Sequence, residues 1–131
     1  MKRQALFALI LSGASTLLVS NSAAQDASAG KSSFNKCLPC HAVGEDAKSK
    51  AGPQLNGLDG RKVGGIPDYS YSAALKSSGV SWDEAQFKEF IQDPKTKFPG
   101  TKMMMAGIKK NTEVNDLWAY VKQYDKDGKV K

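Results

Sequence analysis

The sequence predicts an all-α domain of about four to five short helices wrapped around one covalently attached group, with the first and last helices packed together. Three observations lead there. Apolar residues recur at helical spacing at Trp82, Phe87, Phe90 and Ile91 and again at Val114, Leu117, Trp118 and Val121, and almost no stretch alternates with the two-residue period of a strand. Turn signals crowd the middle of the chain at Gly52-Pro53, Asn56-Gly57 and Asp59-Gly60. Cys37-Leu38-Pro39-Cys40-His41 reads C-x-x-C-H, the attachment sequence for a c-type haem. Two thiols one turn apart can each add to a vinyl group of one porphyrin, and the adjacent histidine then supplies the proximal imidazole.

Other chemistries use parts of this pattern. A thioredoxin-like dithiol needs strands alternating with helices. A structural zinc site wants four Cys or His ligands, and the chain has two Cys and one His. A disulfide across two residues closes a strained small ring and leaves His41 unexplained. Haem attachment accounts for all three side chains.

The elements follow in order. Lys2 and Arg3, an interrupted apolar run from Ala5 to Val19 and the small residues Ser22-Ala23-Ala24 form an export signal, with cleavage expected after Ala24. An uncleaved anchor is the alternative, but the run is shorter than the roughly 20 residues that a span needs. Residues 25–131 then make one domain in the periplasm, not membrane-spanning. A first helix is expected from about Asp26, its cap, to Lys36, with Gly30 and Phe34 on one face. Gly30 inside a helix is unfavourable by about 1 kcal/mol relative to Ala, which suggests close approach by another element. A turn-rich loop runs to about Gly65. A short helix through Ala73, Ala74 and Leu75 is expected to stop at Gly79. Ser81 to Glu84 reads as a capping box, and the helix it opens must end near Gln92 because Pro94 forbids extension. Residues 94–108 read as a long connection without periodicity, which inside a small domain points to function. The last helix is expected from Asn111 or Thr112, and the lysine-rich tail from Lys126 is expected to fray.

Aromatics are 8% of the chain, so apolar burial alone barely offsets chain entropy; the haem-free chain is expected to be poorly folded. The single histidine excludes a bis-histidine site within the chain. The iron's second axial position is open, or is bound by Met, Lys or a weaker donor. Beyond the leader only Met103, Met104 and Met105 offer thioethers, and they sit together on the 94–108 connection. A thioether favours ferrous iron, and closing both axial positions removes the open site that ligand binding or peroxide chemistry needs.

Over nearly the whole of residues 25–131 the sequence resembles a class I cytochrome c of the bacterial cytochrome c2 and mitochondrial type. Gly30 and Phe34 resemble the first-helix pair that crosses the C-terminal helix, and Leu117 and Tyr120 resemble its counterparts there. Cys37, Cys40 and His41 match the haem attachment site. Gly52-Pro53 matches the segment whose proline carbonyl accepts the histidine N–H. Arg61, Tyr71 and Trp82 resemble the residues around the inner propionate. Pro99-Gly100-Thr101-Lys102-Met103 matches the methionine loop; the resemblance places Thr101 beside the haem and selects Met103 as the second axial ligand. Two positions depart from the family: Phe90 stands where a tyrosine is usual in the mitochondrial proteins, and Leu75 stands for an asparagine.

The resemblance implies one covalent haem c and a monomeric electron carrier rather than an enzyme. It implies a quinol–cytochrome c oxidoreductase complex as donor, and a terminal oxidase or a photosynthetic reaction centre as acceptor. Lys36, Lys95, Lys102, Lys109 and Lys110 flank the attachment motif and methionine loop and form a candidate docking patch in a chain of net charge +6. The scattered lysines carry no nucleic-acid recognition motif. The rival readings are a five-coordinate haem protein that binds a small ligand or reduces peroxide, and a membrane-anchored cytochrome.

Overall fold

A computed structural model describes residues 25–131; the export signal and its cleavage point lie outside the described residues. Five helices appear in the order α1 (Ala27–Phe34), α2 (Ala73–Lys76), α3 (Glu84–Gln92), α4 (Pro94–Lys97) and α5 (Asn111–Val121). Between them only two isolated antiparallel bridges form among the described residues, Lys62 with Ser81 and Tyr124 with Val130. No described helix is long and apolar enough to cross a membrane.

Asp26 caps α1 as expected, its carboxylate accepting from the Ser28 and Ala29 amides at 2.8 and 3.2 Å. The helix packs across α5. Gly30 is the point of contact: a Cβ there would overlap the Asp116 carbonyl and crowd the Tyr120 Cβ. The helical cost of this glycine is therefore offset by letting two backbones touch. Phe34, one turn on, stacks against Tyr120 with ring centroids 5.3 Å apart.

Several boundaries differ from the sequence expectation. The cap of α3 is Asp83, whose carboxylate accepts from Gln86 N at 2.8 Å, not Ser81. Ser81 is held in the bridge to Lys62, and Trp82 precedes the helix and buries its indole. Gly79 is left-handed at φ 70°, but α2 has already ended at Lys76, where Ser77 Oγ donates to Ala73 O at 2.8 Å. The 94–108 connection is not wholly irregular. Asp93 leaves the α3 geometry and caps α4 by accepting from Thr96 N at 3.3 Å, and Pro94 occupies the first turn, where its missing N–H costs nothing.

The tail does not fray. Asp125 Oδ1 accepts from the amides of Asp127 and Lys129, both at 2.9 Å, and Lys131 N donates to Gln123 O at 2.9 Å. Gly128, at φ 79°, lies against the Gly44 backbone with no room for a side chain. A carboxylate that satisfies two amides and a glycine that permits the turn outweigh the local charge.

The core is largely aromatic. Trp82, Phe90 and Phe98 form one group, with centroids 5.3 Å apart for Trp82–Phe90 and 5.5 Å for Phe90–Phe98; Phe87 packs on Trp118 at 5.1 Å. Val114, Leu117, Trp118 and Val121 of α5 are buried, as the helical stripe predicts. Replacing Gly30 by Ala should lower stability by about 1–3 kcal/mol through overpacking at the α1–α5 crossing, read as a lower denaturant midpoint; an unchanged midpoint would mean that the crossing is looser than described.

Candidate functional site

A cavity of about 310 Å³ opens inside this core. Its lining brings together nearly every site residue expected from the sequence: Cys37, Cys40, His41, Pro53, Arg61, Tyr71, Trp82, Thr101 and Met103.

The C-x-x-C-H segment continues α1 as a turn. Cys37 N donates to Phe34 O at 2.8 Å, and both Cys40 N and His41 N donate to Cys37 O, at 3.0 and 2.8 Å. This winding places both cysteines and the histidine on the same cavity. Neither cysteine is in a disulfide. Burial pushes the Cys37 thiol up to about 11, with Lys36 opposing and Cys40 and Glu113 adding to the rise. A redox dithiol works through a depressed thiol pKa, so Cys37 is poorly suited to that chemistry. Among the described residues no cluster of three or more His, Cys, Asp and Glu side chains comes together, so the zinc reading lacks its further ligands.

His41 Nδ1 lies 2.7 Å from Pro53 O. The proline carbonyl can only accept, so Nδ1 carries the proton and Nε2 keeps its lone pair. Burial holds the ring below the ordinary histidine pKa, against the opposing pull of the Pro53 carbonyl, and nearby Arg61 and Lys50 lower it further. A neutral imidazole with a committed Nδ1 is what a metal ligand requires. The strap opposite the ring was only partly legible in the sequence. Gly52 lies against the imidazole so closely that a Cβ would overlap Cε1. Gly52 N donates to Cys40 O at 2.9 Å, Tyr69 OH to Ala51 O at 2.7 Å and Lys50 Nζ to Leu38 O at 2.7 Å. Tyr69 and Lys50 were not singled out by any motif; only their contacts reveal them.

Arg61 reaches the cavity with Nη1 donating to Gln54 O and Asn56 O at 2.8 and 3.0 Å, while its Nε is buried without a partner. No carboxylate among the described residues forms an ion pair with it. A half-buried cation whose Nε is buried without a partner is costly unless an anion arrives. The backbone holds Arg61 and Trp82 together, since Trp82 N donates to Arg61 O at 2.8 Å. Tyr71 OH accepts from Ile66 N at 3.2 Å, leaving its own proton to donate, and burial raises its phenol above the ordinary value. These groups fit a flat apolar body bearing carboxylates, as a haem with its two propionates is. The departures Phe90 and Leu75 both line the cavity and add apolar wall.

On the methionine segment, Met103 and Met105 pack against the core, whereas Met104 is 88% exposed. Thr101 Oγ1 accepts from Met103 N at 3.3 Å. Leu117 lines the cavity, while Tyr120 meets the first helix at Gly30 and Phe34.

The five lysines are not equivalent. Lys36 and Lys102 lie at the cavity lining. Lys36 pairs with Glu113 and holds that carboxyl below its usual value. Lys102 Nζ donates to Ser70 O at 3.3 Å, and Lys109 Nζ donates to Gln92 O. Lys95 and Lys110 are exposed and form no ion pair among the described residues.

Comparison with known proteins agrees with this geometry. The profile of the family described as Cytochrome c matches residues 27–125. A cytochrome c-550 of Bradyrhizobium diazoefficiens is 69% identical over 105 residues, 80% of this chain and 77% of that one. A cytochrome c2 of Rhodoplanes tepidamans is 59% identical over 107 residues, 82% of this chain and 100% of that one. A cytochrome c2 of Blastochloris viridis is 50% identical over 129 residues, 98% of this chain and 99% of that one. Among solved structures, cytochrome cH from Methylobacterium extorquens is similar with TM-score 0.69 and 45% identity, covering 74% of this chain and 97% of that one.

Without the group the largely apolar lining of this cavity lacks packing partners, and the short helices around it have little local stability to make up the loss. The chain expressed without haem attachment should therefore lose its cooperative thermal transition. A sharp melt with full helical circular dichroism would contradict this.

Proposed function

The chain belongs to the cytochrome c family, and from that premise we propose that this mono-haem electron carrier is a periplasmic shuttle whose iron is held between His41 and Met103. That it carries electrons and binds covalent haem c follows from the family. The finer reading rests on one observation above the others: His41, its Nδ1 proton given to Pro53, shares a cavity with Cys37, Cys40 and Met103.

The haem, when bound, supplies a one-electron couple. Everything else is the work of the chain. Cys37 and Cys40 tether the group at the α1 turn. Pro53 fixes the His41 tautomer and makes the imidazole a better donor. Gly52 clears the space that the ring occupies. Met103 supplies a soft neutral sulfur, which favours the ferrous state. Arg61 and Tyr71 offer donors to the propionates. The walls contributed by Phe87, Phe90, Leu75 and Trp82 exclude water, so little solvent has to reorganise when charge changes. With His41 and Met103 both holding the iron, transfer would be outer-sphere, past Cys40, which lines the cavity and is exposed.

The partners we propose are a quinol–cytochrome c oxidoreductase complex as donor, and a terminal oxidase or a photosynthetic reaction centre as acceptor. Lys102 stands at the cavity lining, and Lys95 and Lys110 are free of ion pairs among the described residues. They are the members of the candidate patch best placed to steer toward acidic faces. Lys36, Lys102 and Lys109 also make contacts within the chain, to Glu113, Ser70 O and Gln92 O.

Stopped-flow oxidation by membranes of the source cell tests this. In the triple variant Lys95→Gln, Lys102→Gln, Lys110→Gln the bimolecular rate at low salt should fall by about tenfold or more, and its dependence on ionic strength should flatten. An unchanged rate and slope would remove the docking patch; no electron exchange with either membrane complex would remove the shuttle.

A further inference from the structure

The sequence from 103 to 105 offers three thioethers, and only one is used by the reading above. Exposure separates them. All three border the cavity, but Met104 is 88% exposed whereas Met103 and Met105 pack against the core. Residues two apart in an extended segment share a face, about 6.5–7 Å from one another.

The backbone that carries them is sparsely tied. Thr101 N donates to Phe98 O at 3.0 Å, and the next backbone hydrogen bond is Ile108 N to Ile91 O at 2.9 Å. Between these two no backbone–backbone hydrogen bond holds residues 102–107 in the described structure; the Met103 amide is satisfied by Thr101 Oγ1. The two ends differ. Gly107 is wedged against the Gln92 carbonyl, where a Cβ would overlap it, so the far end is fixed. Gly100, at φ 85°, has no atom within 4 Å of where a Cβ would stand, so the near end is not wedged as Gly107 is. Methionine itself is unbranched, with three rotatable side-chain bonds, and adapts its reach.

We infer that Met105 is a reserve axial donor, able to replace Met103 on the iron; the inference rests on the His41 and Met103 reading. The exchange breaks one sulfur–iron dative bond and forms another. Both thioethers are neutral, so no proton moves and the net charge is unchanged. A lysine taking the same place must first lose its proton. The consequence is a carrier that stays closed to oxygen and peroxide when Met103 is released, because the next donor on the same face is also sulfur.

The test uses the mature haem-loaded protein and the variants Met103→Leu, Met105→Leu and the double variant. Leucine nearly conserves volume, and no backbone–backbone hydrogen bond of residues 102–107 is at stake. Two readouts are followed: the ferric sulfur–iron charge-transfer band, and the ε-methyl resonance shifted by the haem ring current in ferrous protein labelled at methionine methyls. The band should persist in each single variant and vanish in the double, and the shifted methyl in Met103→Leu should belong to Met105. Met103→Ala, with more room beside it, should behave like Met103→Leu. Loss of the band in both Met103 variants with its retention in Met105→Leu overturns the reserve and leaves Met103 as ligand. Loss of the band in Met105→Leu alone makes Met105 the resident ligand, and then both the Met103 reading and the reserve fall.

Discussion

A cavity in the middle of an aromatic core is the constraint on which the rest of this structure depends. Small domains close their cores with side chains, because unfilled volume forfeits dispersion contacts. Here Phe34, Phe87, Phe90, Trp82, Leu117 and Val121 all border the same cavity. The elements that carry them are short, and two of the five helices are a single turn. Such a fold has little to gain from its local helices alone. It gains from a flat prosthetic group that each element can pack against, and from the two thioethers and the imidazole that fix that group to the turn after α1.

The polar side of the cavity obeys the same logic. Arg61 is half-buried with its Nε buried and orphaned, and Tyr71 keeps a hydroxyl proton to give. Left without an anion these groups would destabilise the fold. His41 is the converse: its one exchangeable proton is spent on Pro53, which leaves a lone pair available. In the function proposed above, carrier chemistry comes from closing the remaining positions rather than from presenting a reactive one. Phe90 and Leu75 add apolar wall to the same cavity.

The parts of the fold that were legible in the sequence are those set by short-range chemistry. The C-x-x-C-H segment, the Asp26 cap, the Gly30–Phe34 face and the stripe from Val114 to Val121 all stand where the pattern put them. Errors arose where two local signals competed. Ser81 and Asp83 both offer caps, and the burial of Trp82 together with the Lys62–Ser81 bridge decided for Asp83. Pro94 signals the end of α3, yet the same proline begins α4. The lysines of the tail hid the Asp125-to-Gly128 turn, whose hydrogen bonds do not depend on charge balance. Tyr69 and Lys50 act on the site through hydrogen bonds to Ala51 O and Leu38 O, and no spacing rule places them there. Among the methionines, the sequence could not rank one above another without the family resemblance. Exposure now separates Met104 from the other two.

The central claim is that the cavity holds haem with both axial positions closed by the chain. Optical spectra of the protein matured in a periplasm with haem-attachment machinery, recorded in both redox states with and without carbon monoxide, test it most directly. The account predicts a low-spin c-type spectrum, a ferric sulfur–iron band and no rapid carbon monoxide binding. A high-spin spectrum, or immediate binding of carbon monoxide to the ferrous protein, would contradict it and move the chain to a ligand-binding or peroxide-reducing haem protein.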